Sequence, residues 1–150
     1  MPRRDVDRSL ANRFLSHSEQ ALFLTMTDAD QRHSLELCAR LLGDGHAEPD
    51  LCRGALLHDV GKSTGPLPLV FRVTYALAAH LWPGLARRLT DAPEASWRRP
   101  FYIAANHAEI GAGLAERASS PPRVVALIRA HESPGNDELS KLLYDYDSSM

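Results

Sequence analysis

The chain has 150 residues, 44% of them hydrophobic and 24% charged, which is the make-up of a globular protein and excludes an acidic, aromatic-poor disordered chain. At that length one core buries roughly two-thirds of the unfolded surface, so the expectation is a single domain over 1–150 that needs no staples. Lys and Arg number 17 against 19 Asp and Glu, a net charge of −2, which argues against nucleic acid as a partner and against a general attraction to anionic bilayers.

The N-terminal Met-Pro-Arg-Arg-Asp is polar and has no apolar stretch behind it that would serve as a signal peptide. Ser16-His17-Ser18-Glu19 has the capping-box spacing and opens a short helix through Met26. Thr27 or Asp28 caps a longer helix to Leu42, ended by Gly43 and Gly45. Pro49 or Asp50 starts the next, which carries Leu51, Ala55 and His58 and breaks near Gly61. Ser63-Thr64-Gly65-Pro66 reads as a loop, followed by an apolar helix from about Leu67 to Trp82 that Pro83-Gly84 closes. Its most apolar part, Val73 to Trp82, contains His80 and is about half the length of a bilayer span, so a soluble protein with no membrane partner is expected. Asp91 to Pro100 reads as a surface connection, the place where disorder is expected. Three further helices follow at roughly 101–118, 122–132 and 137–148. No run of alternating β-branched residues interrupts this helical spacing, so the expected fold class is all-α, a bundle of about six to eight helices. Cys38 and Cys52 are too few for a disulfide framework and read as two reduced core thiols of a cytoplasmic protein.

Certain histidines and aspartates fall on the apolar faces of these helices, where residues at i, i+3, i+4 and i+7 lie together. His107 heads the series Ile110, Gly111, Leu114 and Ala118, and His131 ends the series Val124, Leu127, Ile128. Asp147 continues the row Leu139, Leu143, beside Leu142 and Tyr146. His58 is in register with Leu51 and Ala55, Asp59 follows Cys52, Ala55 and Leu56, and His33 precedes Leu37 and Leu41. Each alone has an ordinary reading: a histidine on an apolar face is usually a hydrogen-bonded core residue, and Asp147 stands near a solvated helix end. Together they are ionisable groups directed inward from five helices, and buried charges are normally paired or given a metal. The adjacent His58-Asp59 pair inside Leu56-Leu57-His58-Asp59-Val60-Gly61-Lys62 is the most specific, because one ion lodged beside that helix is within reach of both side chains. His17 and His46 read as surface residues, and His80 has no motif around it.

The order His33, His58-Asp59-Val-Gly-Lys, His107-Ala-Glu-Ile-Gly, His131-Glu, Asp147 resembles the HD-domain superfamily of metal-dependent phosphohydrolases, close to its HDIG-type members. The likeness runs from about Asp30 to Asp147, leaving 1–27 as a helical N-terminal extension. It implies an all-helical domain in which His33, His58, Asp59 and Asp147 hold a first metal, and His107 and His131 join Asp59 around a second. Where many relatives carry two adjacent histidines, this chain has Ala130-His131-Glu132, and the interval from His131 to Asp147 is short. Both features argue against the branches that act on cyclic dinucleotides through additional helices.

The donor set supports the implied chemistry independently. Imidazole with carboxylate suits one or two divalent transition ions, Mn, Fe, Co or Ni first and Mg or Zn next, and two ions can share an activated water and clamp a phosphoryl group. Lys62, about a turn beyond the ligand pair, is placed to neutralise phosphate charge, its ordinary reading being a lysine that favours a helix end. Asp59 and Lys62 are therefore the candidate catalytic residues. Gly61 and Gly111 would allow close backbone approach, a helix end or helix contact being their ordinary reading, and Arg87-Arg88 with Arg98-Arg99 could form a local basic rim, though such pairs are more often solvated faces. The expected function is hydrolysis of a phosphoester in a small phosphorylated substrate, a nucleotide or cyclic nucleotide first among them. The alternative is a catalytically silent HD-fold module that binds a ligand or regulates a partner.

Overall fold

Seven α-helices and one 3-10 turn make up the regular structure of the described residues, 5–64 and 99–150 of the computed structural model, with side chains described over 5–62 and 106–150. The helices are α1 (Ser9–Phe14), α2 (His17–Phe23), α3 (Asp28–Gly43), α4 (Pro49–Leu57), α5 (Arg99–Arg117), α6 (Pro122–Ala130) and α7 (Glu138–Ser148), with the 3-10 turn at Val60–Thr64. No strand occurs among the described residues, and the fold is the expected all-α bundle. No helix among them is long and apolar enough to cross a membrane. The expected helix at 67–82 with His80, the Arg87-Arg88 pair, and the connection at 91–98 with Arg98 lie outside the described residues.

Helix ends follow local chemistry. Ser16 accepts from the Glu19 amide while Glu19 reaches back to the Ser16 amide, closing the capping box in front of α2. Thr27 caps α3 by accepting from the Asp30 amide at 3.1 Å, and Asp137 caps α7 by accepting from the Ser140 amide at 2.8 Å. Pro49 and Pro122 occupy the first turns of α4 and α6, where a missing N–H costs nothing. Beyond α3 the chain reverses through Gly45, whose φ of +89° a side chain would oppose.

Helix α4 is apolar on nearly every side, and such a helix is driven to the centre. It touches α1, α2, α3, α6 and α7, and Leu51, Cys52, Ala55, Leu56 and Leu57 are fully buried. Leu37, Cys38 and Leu41 of α3 and Leu127 and Ile128 of α6 complete the core around it. Each such leucine contributes about 1.5–3 kcal/mol through burial. Cys38 and Cys52 are buried free thiols, as expected.

Several expectations need correction. Helix α1 is a separate element ahead of the capping box, too short to announce itself by periodicity. Ser63 and Thr64 belong to the 3-10 turn instead of a loop, because the chain tightens after α4 to lay Gly61 on α5. Arg99 and Pro100 begin α5 instead of ending a connection, since proline fits a first helical turn. Along α5 the buried face is Gly111, Ala112 and Ala115, with Ile110, Leu114 and Ala118 only half-buried. The face is turned because small residues are what allow the close approach of α5 to the 3-10 turn.

Candidate metal centre

At the C-terminal end of α4 the chain keeps helical geometry through His58, then Lys62 N–H bonds back to the Asp59 carbonyl at 3.0 Å. This turn is seated by Gly61. A β-carbon there would collide with the His107 carbonyl and come within 2.8 Å of the Gly111 amide, so only glycine fits. The same contact sets His58 and Asp59 opposite His107, with α3, α6 and α7 delivering His33, His131 and Asp147 from the other sides.

The structure brings all six expected ligands together, in two groups of three. His33, His58 and Asp147 have donor atoms mutually within 4.8 Å, and so do Asp59, His107 and His131. Each group could hold a metal ion, and the second is buried throughout. In the first, His33 Nε2 meets Asp147 Oδ1 at 2.7 Å, and His58 Nε2 stands 3.4 Å from the same oxygen. In the second, Asp59 Oδ1 lies 3.5 Å from His107 Nε2 and 3.8 Å from His131 Nε2. Asp59 spans the two, since its Oδ2 lies 3.4 Å from His58 Nε2. Lys62 is in the cluster as expected, with Nζ 3.0 Å from that Oδ2.

Two histidines have their tautomers set from behind. His58 Nδ1 is 2.7 Å from the Ala55 carbonyl and His131 Nδ1 is 2.6 Å from the Ile128 carbonyl. A carbonyl can only accept, so each Nδ1 donates and each Nε2 is turned into the cluster, the orientation of a ligating imidazole. His58 is fully buried, yet its Nε2 has no hydrogen-bond partner. A buried polar atom left unmatched is costly, and a proton or a metal ion at this nitrogen would face the Asp59 and Asp147 oxygens 3.4 Å away.

The electrostatics ask for positive charge at this point. Burial opposes a charge on His58, but Asp59 and Asp147 outweigh it and hold its pKa up at about 10. Burial likewise opposes the Asp59 carboxylate, but His58, His107 and Lys62 drive its pKa far down, and His33 and His58 do the same for Asp147 against burial. His131, by contrast, is held down at about 4, by burial first and by the charge of His58 next. One imidazole is thus kept cationic between two carboxylates while its neighbour is kept neutral, a division that a divalent ion would replace.

Glu132, which the spacing argument passed over, places Oε1 3.2 Å from His107 Nε2. Its signal was its position directly after His131, where the chain leaves α6 and adjacent side chains no longer diverge as on a helix. His17 is exposed as expected, whereas His46 is half-buried, its ring edge-on to Tyr146 at 5.7 Å, because α7 folds back beside the end of α3. A cavity of about 490 Å³ at that place is lined by Arg40, Asp44 and Tyr146 and includes none of the cluster residues. No protein-family model, curated protein or solved structure matches the chain.

Proposed function

We propose that this chain is a metal-dependent phosphohydrolase of the HD-domain type, cytoplasmic, acting on the phosphoester of a nucleotide, cyclic nucleotide or similar small substrate. The observation that supports this reading best is Asp59, one buried carboxylate with an oxygen toward each of two ligand groups. When bound, one or two divalent ions would supply Lewis acidity and bring the pKa of water near neutrality. The protein's own part is orientation and charge. The Ala55 and Ile128 carbonyls aim His58 and His131 inward, and burial of both rings excludes competing solvent. Lys62 adds an ammonium beside Asp59 Oδ2, where it is placed to offset charge developing on phosphoryl oxygens.

The test is elemental analysis of the purified chain beside the double variant His58→Ala/Asp59→Ala, with a screen of phosphomonoesters, cyclic nucleotides and dinucleotides in added Mn²⁺. Transition metal in the parent and not in the variant, with turnover of one of these classes, is the expected result. Equal metal content in the two proteins would sink the metal reading. Metal without turnover of any class would favour a ligand-binding module.

A further inference from the structure

The second ligand group has a carboxylate neighbour, Glu132. His107 Nε2 faces three electron-rich atoms at once: Asp59 Oδ1 at 3.5 Å, Glu132 Oε1 at 3.2 Å and His131 Nε2 at 3.2 Å. The third is turned inward by the bond that His131 Nδ1 donates to the Ile128 carbonyl at 2.6 Å. A single N–H on His107 satisfies at most one of these acceptors well. Asp59 and Glu132 thus place two carboxylate oxygens on one imidazole nitrogen, from which a second imidazole nitrogen is also 3.2 Å away. A divalent cation beside His107 would replace all three contacts together.

We infer that Glu132 is the fourth ligand of a divalent ion held by Asp59, His107 and His131, an inference that rests on the metal reading above. The position fits the role. Ala130 is the last residue of α6, so Glu132 stands just past the helix and turns back toward α5. Its side chain is 54% exposed whereas those of His107 and His131 are 5% and 1% exposed, so it closes the group from the solvent side. Two oxygens with two nitrogens shift the donor set from zinc-like toward Mn²⁺ or Fe²⁺. Glu132 is exposed and outside the core, so its replacement removes no buried packing.

The experiment is titration of the metal-stripped full-length chain with MnCl₂ by calorimetry, with free Mn²⁺ followed by electron paramagnetic resonance, for the parent, E132Q, E132D and D147N. E132Q is expected to raise the Kd of one ion by at least about 10-fold and leave the other in place. D147N is expected to weaken the other ion instead, and E132D to fall between E132Q and the parent. A chain that takes up one ion is judged by whether E132Q weakens that ion. An E132Q titration that superimposes on the parent overturns the inference and leaves the metal reading standing. Absence of Mn²⁺ uptake by the parent overturns both. Should circular dichroism show E132Q unfolded, E132D decides: a raised Kd supports the inference and an unchanged one refutes it.

Discussion

Two buried carboxylates, Glu19 and Asp59, are held in opposite ways. Glu19 of α2 is fully buried, and every group around it is a donor: the Ser16 amide at 3.0 Å, the Ser120 hydroxyl at 2.9 Å and both arms of the Arg53 guanidinium. Burial opposes its charge, yet Arg53, Ser16 and Ser120 outweigh that and hold its pKa below the ordinary carboxylate range. Asp59 is also buried, but it faces three imidazoles besides Lys62, and the His58 nitrogen 3.4 Å from its Oδ2 makes no hydrogen bond. The first arrangement closes on itself and ties α2 to α4 and to the connection between α5 and α6. The second could hold a metal ion. Matched donors mark a carboxylate that builds the fold, and a buried carboxylate set among imidazoles marks a candidate site.

The sharpest way to break this comparison is to truncate each carboxylate and measure both stability and metal. Asp59→Ala is expected to lose metal and activity together. The parent should gain about 2.7 kcal/mol of stability when Mn²⁺ is present at 100 times its Kd, and Asp59→Ala should gain none, as read from urea melts with and without the ion. Glu19→Ala is expected to lower stability by about 3–5 kcal/mol, because it strands Arg53, while the folded fraction keeps its full metal content. If Glu19→Ala emptied the metal centre selectively, or Asp59→Ala kept it, the contrast between the two sites would be wrong.

A somewhat smaller effect separates ligand from charge within the cluster. Lys62→Ala should retain metal by elemental analysis and lower kcat by about 10²- to 10³-fold, the loss that follows removal of one electrostatic stabiliser. A change in KM alone would make Lys62 a docking residue, and no change at all would make its contact with Asp59 purely structural.

The smallest expected effect concerns Asp137, an open-air version of the Glu19 arrangement. Arg123 at 2.8 Å and then the Ser140 amide hold its pKa down at about 2. A depressed folded-state value contributes stability that is present above the unfolded value of about 3.9 and is lost as pH falls through the folded one. Asp137→Asn should therefore flatten the fall in stability between about pH 4 and pH 2 in urea melts, leaving neutral-pH metal uptake as it was.

Periodicity made the core faces of α3, α4, α6 and α7 legible, because each carries a stripe of large apolar side chains, and with them came His33, His58, Asp59, His131 and Asp147. The face of α5 was harder, since a Gly111–Ala112–Ala115 surface buries little area per residue and looks less apolar than its half-buried flanks. The capping box of Ser16 and Glu19 was readable as a helix start, but the second duty of Glu19 was not. Arg53 and Ser120 are 34 and 101 residues away along the chain, and no local spacing links them. Glu132 escaped for a related reason: its role depends on where α6 stops, and helix boundaries are weakly written in sequence.

Gly61 resting on the main chain of His107 and Gly111 has a mechanical meaning. The registration between the His58-Asp59 turn and α5 is fixed by peptide groups, which have no rotamers to exchange. Repacking Leu127 or Ile128 would change how firmly the helices are clamped and leave the reference surface where it is. Altering what the centre accepts is therefore a matter of changing its solvent-side rim, with 58–61 and 107–111 kept as the fixed frame.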